Sequence, residues 1–316
     1  MKVLITVRWD QEHLAQLRAA FPQVEFVVPE TPEGIVAAAA DADAAFGWLN
    51  REAFLAAKKL RWIQAYSAGV EFMARVPELI ESDVLVTNTR GAHAATIAEH
   101  AFGLLLHLTR QLGPLYEAHK QKAWQRPAGA KLVGLSGLTM GVVGLGRIGS
   151  AIAQRAHAFD MQVIAVDAND VPRADYVSEF WLLDGLPELL RRSDVVAVAV
   201  PITPETRGML GPAQLALLKP TAYLIVVSRG GIVDEHALAG MLKEGRLAGA
   251  GLDVTEREPN PPESELWECP NILITPHCSG ASRQTTEMVW SIFRDNLARF
   301  VAGQPLTNLV DKHRGY

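Results

Sequence analysis

Short runs of β-branched and other apolar residues recur along the whole of this chain, each separated from the next by a stretch of helical period. In the first hundred residues KVLITV, VEFVV, RWIQAY and VLVTNT alternate with EHLAQLRAAF, an alanine-rich helix running through Ala45, and REAFLAAKKL. Strands that alternate with helices at this spacing are joined by right-handed crossovers, and a crossover brings each strand back parallel to the last. A second series starts at Leu138: LTMGVVG, a helix from Ile148 to Phe159, MQVIAVD, LPELLRRS, DVVAVAVP, a helix ending at KP, AYLIVVS, DEHALAGMLKEG, AGAGLDV and NILITP. Its strands are apolar at nearly every position, as strands covered on both faces must be. The expected fold class is α/β, with two doubly wound domains.

Between the two series, residues 97 to 125 form a long apolar helical stretch interrupted at Gly113 and Pro114, a candidate for bridging two domains or for a dimer face. The tail from about Ser282 reads as one more amphipathic helix, able to pack back on the first domain. A chain of 316 residues has room for two cores of ordinary size. Its 30 basic and 35 acidic residues leave a net charge of −5, so no bulk positive field marks it for nucleic acid or an anionic membrane. A small-molecule ligand is expected instead. No stretch reaches the roughly 18 to 20 apolar residues that span a bilayer, and the apolar run in MKVLITVRWD is too short for a signal peptide, which points to the cytoplasm. Cys269 and Cys278, nine residues apart, match neither a disulfide framework nor a C-x-x-C metal or redox pattern, and both are expected to be inert thiols. No metal site is expected from such spacing.

The most informative local pattern is GVVGLGRIGSAIAQRAHAFDMQVIAVD. Gly144, Gly146 and Gly149 stand in G-x-G-x-x-G spacing directly after an apolar strand and at the start of a helix. In that context the first glycine makes the tight turn, the second lets backbone approach a pyrophosphate, and the third allows close packing of helix on strand. The helix N-terminus offers free N–H groups to the phosphates, with Arg147 and Ile148 as the nearest donors. Asp167 ends the next strand, where a carboxylate accepts hydrogen bonds from the ribose hydroxyls and repels a 2′-phosphate. Ala168 and Asn169 carry no cation to offset that repulsion. The expected cofactor is therefore NAD.

Three further residues stand at strand ends of the second series: Arg229 after AYLIVVS, Glu258 after GLDVTEREPNPP begins, and His277 after NILITP. Taken singly they read as a solvated loop charge, one charge among several, and a strand cap. Together, behind a dinucleotide site, they supply what reduction of a carbonyl beside a carboxylate requires. A histidine transfers the proton, a carboxylate orients the imidazole, and an arginine fork grips the acid. In a doubly wound sheet the carboxyl ends of the strands form the ligand crevice, so such positions can converge.

The strings VVGLGRIG, PITPETRGMLG, SRGGIVDEHAL, GAGLDVTEREPNPPES and NILITPHCSGAS, in this order, resemble the D-isomer-specific 2-hydroxyacid dehydrogenase family, and WIQAYSAGVEFM and VTNTRGAHAATIAEHAFGLLL extend the resemblance into the first domain. It implies a Rossmann NAD-binding domain, residues 100–282, inserted in a flavodoxin-like discontinuous substrate domain made of residues 1–99 and 283–316. A homodimer built largely by the NAD domains is also implied. The resemblance makes Arg229 the substrate-binding arginine, Glu258 the partner of the histidine, and His277 the general acid/base. It makes Ala68, Gly69 and Val70 the loop whose amides hold the substrate carboxylate. Asp253 becomes the contact to the nicotinamide carboxamide, Val200 and Pro201 contacts on the adenosine side, and Val227, Ser228 and Gly280 further cofactor contacts. Three positions depart from the family pattern: Arg90 in place of a proline, Ala95 in place of an acidic residue, and Val226 in place of an asparagine.

The activity this implies is NAD-dependent interconversion of a 2-keto acid and an (R)-2-hydroxy acid. Two alternatives use the same scaffold, a formate or phosphite dehydrogenase and a NAD-sensing corepressor resembling the C-terminal-binding proteins. Substrate size is left to pocket residues for which Trp48, Tyr66, Phe72 and Arg90 are candidates. Trp267 and Trp290 are assigned to packing or to the dimer partner.

Overall fold

The computed structural model describes residues 1–7, 11–127 and 132–315. Two compact units are present, Met1–His93 with Ser282–Tyr316, and Ala94–Ala281. The first unit opens with β1 (Lys2–Ile5), α1 (Gln11–Ala20), β2 (Glu25–Val27), α2 (Pro32–Ala39), β3 (Ala44–Phe46), α3 (Arg51–Ala56), β4 (Trp62–Gln64), α4 (Pro77–Ile80) and β5 (Leu85–Thr87). Its strands pair in parallel in the order β2-β1-β3-β4-β5, the flavodoxin-like order.

β3 departs from the alanine-rich helix expected through Ala45. Helix α2 ends at Ala39, and Ala44, Ala45 and Phe46 are wholly buried between β1 and β4. Alanine favours a helix when local propensity decides, but here pairing on both edges and burial on both faces override it.

The second unit holds α5 (Ala94–Thr109), α6 (Leu112–Lys120), β6 (Thr139–Val143), α7 (Arg147–Ala158), β7 (Gln162–Val166), β8 (Val177–Trp181), α8 (Leu186–Arg192), β9 (Val195–Val198), α9 (Pro212–Leu215), β10 (Tyr223–Val226), α10 (Glu235–Lys243), β11 (Gly249–Leu252) and β12 (Ile272–Ile274). Its parallel sheet has the order β12-β11-β10-β9-β6-β7-β8, so the winding reverses between β6 and β9. Successive strand residues feed opposite faces: Val196, Val198, Leu224 and Val226 join one core, and Val195, Ala197, Tyr223 and Ile225 the other. Strand β8, VSEFW, lies outside the expected series because its half-exposed edge position leaves it without an apolar run.

The break in the long helix comes earlier than expected. It falls at Gln111, which adopts a left-handed conformation with φ 54°. Pro114 sits instead in the first turn of α6, where a missing N–H has no intrahelical partner to lose.

The last helix, α11 (Arg283–Val301), belongs to the first unit and lays Val289, Trp290, Phe293 and Leu297 against the five-stranded sheet. Phe293 stacks on Phe46 with ring centroids 4.2 Å apart. Asn296, fully buried, donates to Gln64 Oε1 at 3.0 Å and accepts from the Thr307 amide at 2.9 Å, so the polar groups that this packing removes from water are paired. Among the described residues no helix is long and apolar enough to cross a membrane.

Candidate active site

The glycine turn lies between β6 and α7, on the side of the sheet where the strand order reverses. Gly144 has φ 91°, a conformation L side chains rarely adopt, and a Cβ on Gly149 would fall 1.9 Å from the Gly144 carbonyl oxygen. Any larger residue at either position would force the turn open. Gly146 caps α7 with no side chain, so the amides of Arg147, Ile148 and Gly149 enter the helix without intrahelical acceptors. Asp167 follows β7 and ties this turn to it. Its Oδ2 accepts from the Leu145 amide at 2.8 Å and its Oδ1 from the Asn169 amide at 3.1 Å. Across the turn, Val200 is buried against Gly144, and the Pro201 carbonyl accepts from Thr206 Oγ1 at 2.7 Å. These residues fit a dinucleotide: a cradle that side chains would fill, an anion-binding helix end, and a carboxylate with lone pairs to spare for hydroxyls. Past β10, Val227 and Ser228 are buried, and Ser228 Oγ has no hydrogen-bond partner among the described residues. A buried hydroxyl so placed suits contact with a bound ligand.

The catalytic candidates follow the carboxyl ends of β10, β11 and β12. Arg229 Nη1 donates to the Ser228 carbonyl at 2.8 Å. The next residue, Gly230, packs so closely on the Thr255 carbonyl that a Cβ would lie 1.9 Å from its oxygen, which presses the arginine segment onto the loop carrying Glu258. Glu258 Oε1 accepts from the Thr255 amide at 3.2 Å, while Oε2 lies 2.8 Å from His277 Nδ1. An ionised carboxylate only accepts, so Nδ1 carries the proton of that bond. The other ring nitrogen, Nε2, takes no part in that bond.

His277 itself has φ 50°, unusual for a residue with a side chain. Asp253 accounts for it. The His277 amide donates to the Asp253 carbonyl at 2.8 Å, the Cys278 amide to Asp253 Oδ1 at 3.0 Å, and the Ser279 amide to Oδ2 at 2.9 Å. Three successive amides therefore converge on one residue that is only 1% exposed. Burial alone would raise the Asp253 carboxyl, but hydrogen bonds from Ser279, Thr275 and Cys278 outweigh it and hold it below the usual range. Gly280 completes the turn.

Two partners of this arrangement escape a motif search. Thr275 Oγ1 gives its proton to Asp253 Oδ1 at 2.6 Å and lies 2.8 Å from His100 Nε2, which must then be the donor of the second bond. His100 is half-buried on α5, close to the buried Ala98, Ala101 and Phe102, and no pattern in the sequence marks it. Glu235, the first residue of α10, accepts a hydrogen bond from the Glu256 amide in the Glu258 loop. Of the two thiols, Cys269 is buried and Cys278 exposed. Burial and the neighbouring Asp253 charge raise the Cys278 thiol.

Ala68, Gly69 and Val70 lie in the first unit, between β4 and a single turn of 3₁₀ helix at Glu71–Arg75. Asn88 Nδ2 donates to the Ala68 carbonyl at 2.8 Å, Ser67 Oγ to the Gly69 carbonyl at 2.7 Å, and the Met73 amide to the Val70 carbonyl at 3.0 Å. In a trans peptide the N–H points opposite to the carbonyl, so the Gly69 and Val70 amides face away from these partners. Among the other first-unit candidates, Arg90 and Trp48 are exposed, Tyr66 meets Phe46 edge to face, and Phe72 packs on the core. Val226 is buried in β10 and Ala95 is exposed at the start of α5.

Residues 102–279, over half of the chain, match the family described as D-isomer specific 2-hydroxyacid dehydrogenase, NAD binding domain. A glyoxylate reductase of Korarchaeum cryptofilum is 36% identical over 292 residues, covering 90% of this chain and 87% of that protein. Among solved structures, a D-isomer specific 2-hydroxyacid dehydrogenase family protein from Aeromonas salmonicida superposes with a TM-score of 0.86 at 32% identity, over 98% of this chain and 99% of the other. The NADPH-dependent glyoxylate/hydroxypyruvate reductase of Sinorhizobium meliloti, solved with NADP and sulfate, superposes with a TM-score of 0.85 at 27% identity, over 100% of this chain and 99% of that one. With a glycine turn built for a dinucleotide and a histidine paired with a carboxylate in the same unit, the chain belongs to the D-isomer specific 2-hydroxyacid dehydrogenase family and is an oxidoreductase acting on the CH–OH group of 2-hydroxy acids.

Proposed function

We propose that the chain interconverts a small 2-keto acid and the (R)-2-hydroxy acid, prefers NADH to NADPH, and uses His277 as the proton donor and acceptor. The bound dinucleotide supplies or takes up the hydride. Gly144, Gly146, Arg147, Ile148 and Gly149 hold its pyrophosphate, Asp167 its ribose, and Val200, Pro201, Val227, Ser228, Asp253 and Gly280 line the rest of its path. His277 gives a proton from Nε2 to the substrate oxygen, and Glu258 fixes the ring at Nδ1 and balances the charge as the proton returns. Arg229 grips carboxylate and carbonyl together, and within the first unit the Ala68–Gly69–Val70 loop offers the Gly69 and Val70 amides to a carboxylate.

The observation that carries this reading is the 2.8 Å pair of His277 Nδ1 and Glu258 Oε2 beside a turn held by Asp253. Similarity to glyoxylate reductases favours a small substrate such as glyoxylate or hydroxypyruvate. Preference for NADH rests on the Asp167 charge and on Arg173, a cation on the following loop that is already paired with Asp170 at 2.7 Å and stacked on Phe180. The test is a panel of glyoxylate, hydroxypyruvate, pyruvate and bulkier keto acids with NADH and NADPH, run on the wild type and His277→Gln. Turnover by wild type and a loss of about 10²- to 10⁴-fold in the variant are expected. An undiminished variant would remove His277 from the reaction. NADH binding without turnover on any acid would instead leave a dinucleotide-sensing protein.

A homodimer is part of the same reading. Leu112, Tyr116 and Trp124, on and just past α6, are 47%, 61% and 95% exposed, an apolar run suited to cover by a second copy. Sedimentation of the wild type and Trp124→Glu should show a dimer weakened by the substitution, and a monomeric wild type would dismiss it.

A further inference from the structure

Two side chains at this site have no part in proton or hydride transfer, His100 and Cys278. Both approach Asp253. His100 Nε2 stands 3.5 Å from Asp253 Oδ1, and a ring nitrogen of His100, a carboxylate oxygen of Asp253 and Cys278 Sγ all lie within 4.8 Å of one another. Ligands bound tetrahedrally to zinc at about 2.0 to 2.3 Å lie roughly 3.3 to 3.8 Å apart. The three donors are thus within a small side-chain adjustment of that spacing. At present the Thr275 hydroxyl bridges two of them, at 2.8 Å from His100 Nε2 and 2.6 Å from Asp253 Oδ1. A cation would take over the role of its bridging proton.

We propose that His100, Asp253 and Cys278 form an exchangeable site for a borderline-soft divalent cation, zinc above all, and that filling it blocks the dinucleotide-dependent reaction. One imidazole, one carboxylate and one thiolate are a donor set suited to zinc and poor for magnesium or calcium, and three protein ligands leave a fourth position for water. Binding releases the Cys278 thiol proton and moves the His100 ring proton from Nε2 to Nδ1, so that Nε2 can bind the ion. The exposed thiol gives the ion entry from solvent. Because Asp253 also holds the amides of His277, Cys278 and Ser279, a cation that draws its carboxylate aside disturbs the turn carrying His277. Inhibition rests on the proposed function, whereas binding of the ion does not. The three ligands come from α5, the end of β11 and the turn after β12, so no sequence spacing announces them.

The test uses the full chain freed of metal by a chelator and then titrated with zinc against a chromogenic competitor. One ion per chain is expected, with affinity falling at least tenfold in Cys278→Ser and in His100→Gln and unchanged in Glu258→Gln. No saturable binding, binding retained in either of the first two variants, or binding lost in Glu258→Gln but kept in His100→Gln overturns the site. That last pattern would move the ion to the His277–Glu258 pair. Cobalt in the wild type should add a thiolate-to-metal charge-transfer band, which reads Cys278 ligation directly should a variant fail to fold, and an absent band counts against it. Zinc should also inhibit keto-acid reduction by the wild type reversibly and spare Cys278→Ser; equal inhibition of both would refute the regulatory half. If no keto acid is turned over at all, the proposed function fails while the binding measurement still decides the site.

Discussion

Asp253 concentrates more of the site's order than any of the residues expected to do chemistry. It takes hydrogen bonds from Thr275, Cys278 and Ser279 on its carboxylate and from His277 on its carbonyl, and so maintains a left-handed histidine that would relax if released. Its folded carboxyl lies below the ordinary value of 3.8, which is also the unfolded reference. A depressed acid contributes stability in full above the unfolded value and loses it as pH falls through the folded one. Asp253→Asn should therefore be less stable than wild type at neutral pH, by about 1–3 kcal/mol, because an amide nitrogen would face amide donors. The gap should narrow as pH falls below about 4, where the unfolded wild-type carboxyl takes up its proton while the folded one still resists it. Denaturant unfolding across that range checks it, and a gap independent of pH would show that the charge is not what matters. The positions of Asp253, Arg229 and His277 were legible because each follows an apolar strand within a distinctive string, and Glu258 lies in the loop after one of them. His100 was not, since nothing in a helix sequence says which polar residue faces a strand end far along the chain.

Among the elements, α10 and the loop after β11 show how one helix end can set a neighbouring segment. Asp234 caps α10 by accepting from the Ala237 amide at 2.8 Å, which places Glu235 at the first helical position with its carboxylate on the Glu256 amide. Burial raises the Glu235 carboxyl; the Glu256 amide lowers it, and the charges of Glu256 and Glu258 raise it again. A raised acid favours the folded state below its unfolded value and loses that contribution as pH climbs through the folded one. Glu235→Gln keeps an acceptor for Glu256 and removes the repulsion, so it should match wild type in acid and gain on it as pH rises through that range. Glu235→Ala should cost about 1 kcal/mol and free the loop that presents Glu258. Its kcat should then fall more than its KM rises, with activity restored in Glu235→Gln. Equal activity in all three proteins would reduce Glu235 to a surface charge. Elements were read well where the apolar period was long, as in α7, β6 and β9. They were misread where tertiary burial outvoted composition, as in β3, or where an edge position removed the apolar run, as in β8.

At the scale of the molecule, alternation of strands and helices specifies parallel sheets but leaves strand order open, because a crossover can step to either side of a sheet. Nor did amphipathic period alone say which sheet α11 would cover. What settles it physically is side-chain shape: Phe293 is fully buried, stacked on Phe46 of β3 and 6.0 Å from Trp62 of β4, so the last helix of the chain closes a core begun by its first strands. Closing a core across the whole chain length carries a large loop-closure entropy, which the packing of this aromatic cluster must exceed. Phe293→Ala should therefore destabilise by about 3–5 kcal/mol, the range for emptying a buried aromatic site. Hydrogen exchange should quicken in β1, β3 and β4, the strands under the helix, together with α11 itself. If those strands kept their protection while α11 alone lost it, the helix would be an appendage to a sheet that folds without it, and the chain's C-terminal residues would have no share in the first unit's stability.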